Sequence, residues 1–237
     1  MEQVTQGWFQ DLFKGYGHML IEGLWVTISL ALISYIIGVG LGLLGAWAKL
    51  SGSKAANIAG ETYTTLIRGI PELVLLFLLY FGLEIALRSL FSLLGIPDFE
   101  VDRFTIGAIV LSFICGGYLT ETMRGAILAV PKGQMEAARA HGMNRVLAFR
   151  RILLPQIWRF ALPGMGNTWL VLLKDTSIVS AIGLHELMWA SKTGGSNTRQ
   201  EFTFLFAACV IYLVITAISN FAFQTAERHA SRGVVRR

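Results

Sequence analysis

The sequence predicts an all-α membrane protein that crosses the bilayer five times. Of its 237 residues 54% are hydrophobic and only 15% are charged, and five windows are long and apolar enough to span lipid. A soluble domain carries roughly 25% charged residues, so this shortage, with a mean hydropathy of +0.58, fits a chain whose main solvent is hydrocarbon. It excludes a disordered chain.

The windows cover residues 23–48, 58–87, 104–128, 158–182 and 202–223. The first reads as a retained helix rather than a cleaved leader, because Asp11, Lys14 and Glu22 precede it and no positively charged start leads into it. Residues 1–22 are then an external segment, 23–223 the transmembrane domain and 224–237 a basic tail. Inside the first window, Gly38 and Gly42 form a small-xxx-small pair that lets a neighbouring helix approach closely. In the fourth, Pro163, Gly164 and Gly166 loosen the backbone where a rocking motion would need it, although a fixed kink is the favoured reading.

The net charge of +5 and pI near 9.4 would suit a nucleic-acid binder, but the location of the charge assigns it elsewhere. Lys49, Lys54, Arg124, Lys132, Arg139, Arg145, Arg150, Arg151, Arg228, Arg232, Arg236 and Arg237 fall on one side of the expected bundle. Only Lys14, Arg88, Arg103, Lys192 and Arg199 fall on the other, beside Asp98, Glu100 and Asp102. The positive-inside rule then places the N-terminus outside, and the C-terminus and the loop between spans three and four in the cytoplasm. No nucleic-acid partner is expected. Cys115 and Cys209 lie within spans and the four histidines are scattered, so neither a disulfide nor a metal site is expected.

Residues 131–155 are too long and too regular for a bare connection. Pro131 and Gly133 should break the third span, Glu136 should sit in the first turn of a new helix, and Ala137, Ala138 and Ala140 favour helix with almost no bulk. Gly142 stops or bends that helix. Such a small-faced helix buries little surface of its own and suits a groove on a partner. Leu147, Phe149, Ile152 and Leu153, interleaved with Arg145, Arg150 and Arg151, suit a helix at headgroup level, and Pro155 marks the return to the membrane. A basic helix that merely anchors the bundle to anionic lipid would explain the arginines but not the alanines or Gly142.

Ionisable groups at membrane depth are costly unless they face a partner or a cavity, which singles out Arg68, Glu72, Glu84, Glu121, Lys174 and Asp175. Arg68 and Glu72 are four apart and can pair on one helix face. Glu84 has Arg88 four residues on and Glu121 has Arg124 three on, so neither is treated as a free carboxylate. Adjacent Lys174 and Asp175 point about 100° apart on a helix, so at least one must reach another helix, a second subunit or a pathway.

Glu136-Ala137-Ala138, Gly142, Ile152 and Leu154-Pro155 match in full the EAA-loop pattern of the membrane subunits of ATP-binding-cassette (ABC) importers. The stretches 65–71 (Thr-Leu-Ile-Arg-Gly-Ile-Pro) and 173–177 (Leu-Lys-Asp-Thr-Ser) resemble the polar amino-acid branch of that family. The chain is most similar there to the histidine, arginine and opine permease subunits lettered Q; Ile178 stands where leucine would be expected. The resemblance covers about residues 20–223. It implies a type I ABC importer permease fold in a bacterial inner membrane, with a coupling helix between helices 3 and 4. It further implies an ATPase dimer that uses ATP and Mg, a second and related permease subunit, and an external substrate-binding protein. Lys174 and Asp175 would then belong to the pathway or the subunit interface, and Glu84, if it lines the cavity, would suit a cationic amino group.

No phosphate-cradling G-x-x-x-x-G-K-[ST] motif occurs, nor a nucleophile elbow or a His-Glu-x-x-His pair. The chain is therefore expected to bind no cofactor itself and to be a transport subunit, not an enzyme. Two alternatives are a self-sufficient secondary transporter, which five spans without a visible half-repeat do not fit, and a membrane anchor, which would have no use for Lys174 and Asp175.

Overall fold

A computed structural model describes residues 15–96 and 102–231; Lys14, Asp98, Glu100, Arg232, Arg236, Arg237 and most of the expected external segment lie outside these. The described residues form nine α-helices: α1 (Gly17–Leu50), α2 (Lys54–Gly69), α3 (Glu72–Leu93), α4 (Arg103–Leu128), α5 (Lys132–Ala140), α6 (Arg145–Ala148), α7 (Leu154–Asp175), α8 (Leu187–Thr198) and α9 (Glu201–Ala230). A π-helical turn, Phe149–Leu153, precedes α7, and a 3-10 segment, Thr176–Ile182, follows it.

Four helices, α1, α3, α4 and α9, are long and apolar enough to cross a membrane. Two expected spans differ from the sequence reading. The window 58–87 is not one helix, because Pro71 lacks an N–H and drives the preceding residue away from helical geometry; Ile70 is extended (φ −109°, ψ 137°) and separates α2 from α3. The window 158–182 falls on α7, whose α-helical part ends at Asp175 and which is not among those four. At the C-terminus, α9 continues to Ala230, so the start of the expected tail is helical.

At the centre stands α4: 67% of its apolar stretch is buried, against 11% for α9 and 17% for α3. Its start is capped by Asp102, whose carboxylate accepts the Thr105 N–H at 3.1 Å. Along its length it meets α1, and glycine permits the approach. A Cβ on Gly42 would stand 2.6 Å from Leu119 Cβ and 3.0 Å from its carbonyl carbon, and one on Gly38 would meet Cys115 Sγ at 3.1 Å. Ser34 donates to the Ala108 carbonyl across the same seam (3.2 Å). Gly42→Val is expected to force these helices apart, costing about 1–3 kcal/mol. In detergent that should lower the melting temperature by roughly 2–12 °C, with Gly40→Val as control because nothing lies within 4 Å of a Cβ there.

Large apolar side chains such as Trp25, Ile36, Leu44, Trp47, Phe206 and Phe221 point outward from α1 and α9. In water this would be an aggregation surface, whereas in lipid it is the ordinary exterior. The bundle has two ends. One gathers the end of α1, the start of α2, the end of α4, α5, α6, the start of α7 and the end of α9. The opposite end holds α8, which Glu186 ties down: its fully buried carboxylate accepts the Met188 and Trp189 N–H groups (both 2.8 Å) and the hydroxyls of Thr27 and Tyr212 (both 3.3 Å). Burial pushes this carboxyl up to about 7, against the pull of those four donors.

Candidate functional site

The segment between α4 and α7 folds into a compact platform. Helix α4 stops at Leu128, and Pro131 caps α5, whose first residue is Lys132. Glu136 consequently lies in the second turn of α5, not the first, and Gly133 is inside the helix. Both shifts follow from proline being tolerated at a helix start, which moves the boundary upstream.

The end of α5 is fixed by Gly142. Its φ of +76° is a left-handed conformation, the Gly142 N–H donates to the Arg139 carbonyl (2.9 Å), and the Met143 N–H reaches back to the Ala138 carbonyl (3.1 Å). These two bonds form a Schellman motif, which glycine enters without the penalty a side chain would bring. The chain then reverses into α6, where the Asn144 side chain accepts the Leu147 N–H at 2.8 Å. Ala138 and Ala148 are buried between the short helices, while Glu136, Ala137 and Gly142 face outward with Val146 and Phe149.

The expected headgroup-level helix is only the four residues of α6, followed by the π turn. Pro155 supplies the reason, since it has no N–H to return to an earlier carbonyl and the register widens before α7 begins. Gln156 Nε2 donates to the Ile152 carbonyl within this turn (3.0 Å). Ile152 and Leu154 are half-buried beneath the platform and Pro155 is exposed, so the seven residues expected to serve in coupling divide into an outward set and a supporting set.

A second constellation lies midway along α4. The Tyr118 hydroxyl donates to Glu72 Oε1 (3.0 Å), and the Asp175 carboxyl lies near the same carboxylate. Two acids and a phenol from α3, α4 and α7 thus converge. The expected Arg68–Glu72 pair does not form among the described residues, because the break at Pro71 removes the helical spacing that would bring the two together. Lys174 is exposed and makes no ion pair among the described residues.

The other two candidates serve in ion pairs. Glu84 holds Arg88 (2.9 and 3.1 Å to the same oxygen). Glu121 holds Arg124 (2.9 Å) with one oxygen and Lys49 with the other. Lys49, whose side chain is 3% exposed, also reaches Glu61 (2.8 Å) and Thr64 (3.0 Å), which locks α1, α2 and α4 together beside the platform.

This arrangement can be set beside known proteins. The family described as "Binding-protein-dependent transport system inner membrane component" matches residues 19–232. This chain belongs to that family of inner-membrane permeases. The histidine/lysine/arginine/ornithine permease protein HisQ of Escherichia coli K12 is 45% identical over 225 residues, 95% of this chain and 99% of that protein. The octopine permease protein OccQ of Rhizobium radiobacter is 43% identical, with 94% of each chain covered. Among solved structures, an amino acid ABC transporter crystallised with histidines superposes with a TM-score of 0.77 at 33% identity, covering 90% of this permease and 95% of that chain. The methionine transporter MetNI shares the fold, with a TM-score of 0.70 at 19% identity. This permease is thus an all-helical, multi-pass inner-membrane protein with the type I importer fold, and a subunit of the polar amino-acid group of ABC importers.

Three residues of consequence in the permease are missed by sequence reasoning. Lys49 reads as one more cytoplasmic charge, although its register with Glu61 and Glu121 is set only by tertiary packing. Tyr118 carries no sequence signal beyond being a polar aromatic in a span. Glu186, in an apparent loop before Leu187, could have been flagged as a cap, but glutamate is an uncommon one.

Proposed function

We propose that this permease lines the translocation path of an ATP-driven importer for basic amino acids or opines, and that the platform from α5 to the π turn passes force from a cytoplasmic ATPase. The observation that carries this reading is α5 itself, a short helix ended by a Schellman turn with Glu136 and Ala137 outward and Ala138 buried against the platform. A helix so braced moves as a unit with whatever grips it.

In this reading α7 is the fifth crossing, the platform end is cytoplasmic and the N-terminus is outside, in keeping with the distribution of Lys and Arg. A second, related permease chain completes the path and a soluble binding protein delivers substrate from outside. ATP, with Mg, is bound and hydrolysed by the partner ATPases. Closure of the ATPase pair carries α5 along and swings the bundle outward-open. The two conformations must differ by only a few kcal/mol for nucleotide and loaded binding protein to shift the population.

Along the path, Glu72, Tyr118 and Asp175 converge near the middle of α4, and paired carboxyls there suit a cationic substrate group. The names of the relatives, which refer to histidine, lysine, arginine, ornithine and octopine, agree with that charge. Asp175→Asn is expected to lower uptake of radiolabelled arginine by roughly tenfold or more with subunit assembly unchanged, since a hydrogen bond to a charged group contributes about 1.5–3 kcal/mol. Undiminished uptake would remove Asp175 from the path. Glu84, already held by Arg88, should tolerate Gln with a smaller loss.

A further inference from the structure

At the platform end, α7 and α9 enclose a groove of about 550 Å³ lined by Arg159, Phe160, Pro163, Gln224, Glu227 and Arg228. Its shape follows from the sequence. Gly166 draws the two helices together, since a Cβ there would meet the Phe223 ring at 3.0 Å, and the groove opens one to two turns further toward the platform. Pro163 cannot return a hydrogen bond to the Arg159 carbonyl four residues earlier, which loosens that wall of the groove.

Arg159 and Arg228 make no ion pair among the described residues. Arg159 stacks over Phe160 at 5.4 Å, and Glu227 lines the same groove without a salt bridge among the described residues. Gln224 to Arg228 lie just past the apolar stretch of α9, at the depth of lipid headgroups, while Phe160 and Pro163 continue toward the hydrocarbon. A groove with cations at the interface and an aromatic floor below it is complementary to an anion that carries an acyl chain.

We propose that this groove binds an anionic phospholipid, its phosphate between Arg159 and Arg228 and its chain along Phe160 and Pro163. The single carboxylate of Glu227 leaves a net charge of +1, which matches a monoanionic phosphodiester. This inference rests on α7 and α9 lying in the membrane and is independent of ATPase coupling.

The test is native mass spectrometry of the full chain released from nanodiscs of phosphatidylglycerol and phosphatidylcholine in equal parts. Retention of phosphatidylglycerol over phosphatidylcholine is expected, with Arg159→Gln and Arg228→Gln each lowering it about fivefold and Arg159→Lys largely restoring it. Arg150→Gln/Arg151→Gln, which removes two exposed charges outside the groove, should leave retention unchanged. Equal retention of the two lipids, an equal loss in the Arg150/Arg151 variant, or displacement of the lipid by millimolar inorganic phosphate would each overturn the proposal. Melting curves of the variants separate loss of binding from loss of fold.

Discussion

Gly142→Arg is expected to abolish co-purification of the ATPase and all ATP-dependent uptake while leaving the permease inserted in the membrane. A side chain at φ +76° costs about 1–2 kcal/mol, because left-handed backbone crowds Cβ against the following carbonyl. The new arginine would also project from the outward face of the platform, where loss of a central contact costs a further 2 kcal/mol or more. Together these reduce affinity by at least about a hundredfold. Nothing lies within 4 Å of a Cβ at this glycine, so the bundle itself has no clash to relieve. Gly142→Ala separates the two contributions, since it keeps the backbone strain without the bulk and should retain part of the uptake. Glu136→Lys should lose ATPase binding with no change in backbone. Pull-down in mild detergent checks all three, and full ATPase recovery with Gly142→Arg would remove α5 from the coupling role.

Lys49→Met should produce the largest loss of stability of any single charge removal. Its ammonium lies between Glu61, Glu121 and Thr64 at the junction of α1, α2 and α4, with its side chain almost wholly buried. Removing one member of such a group leaves buried charge uncompensated, at about 3–5 kcal/mol. Glu61 is 56% exposed and water takes over much of its share, so the lower end of that range is expected. In a chain of this length that corresponds to a fall in melting temperature of roughly 6–12 °C. Lys49→Met combined with Glu121→Gln should be less damaging than the sum of the two single changes, as expected for groups in one network. Strict additivity would show that Lys49 and Glu121 do not act together. Because α4 leads directly into α5, the pair also holds the stem that carries the platform.

The sequence reading located the platform well and the interior poorly, for a physical reason. Gly142, the alanines and Pro155 act through local backbone geometry, so their meaning survives in one dimension. The ends of α5 were less legible, as Pro131 moved the start upstream and placed Glu136 a turn later than expected. Pro71 is also a local signal, but the apolar residues on both sides of it hid the break between α2 and α3 behind a continuous hydropathy profile. With that break goes the expected Arg68–Glu72 pair. The ties of Lys49 to Glu61 and Glu121, of Tyr118 to Glu72, and of Glu186 to Thr27 and Tyr212 join residues 12 to 159 positions apart in sequence. The packing of α1 on α4, permitted by Gly38 and Gly42, brings Lys49 to Glu121, and of that packing the sequence revealed the glycines alone; the other ties depend on how α2, α3, α8 and α9 pack around that pair.

Uptake by proteoliposomes tests the central claim most directly: the permease pair is reconstituted with and without the ATPase, and radiolabelled arginine is delivered by its binding protein. Accumulation that requires both the ATPase and ATP, and that Gly142→Arg eliminates, is the result expected of a coupling platform. Accumulation by the permease alone, or undiminished transport with the Gly142→Arg variant, would contradict it.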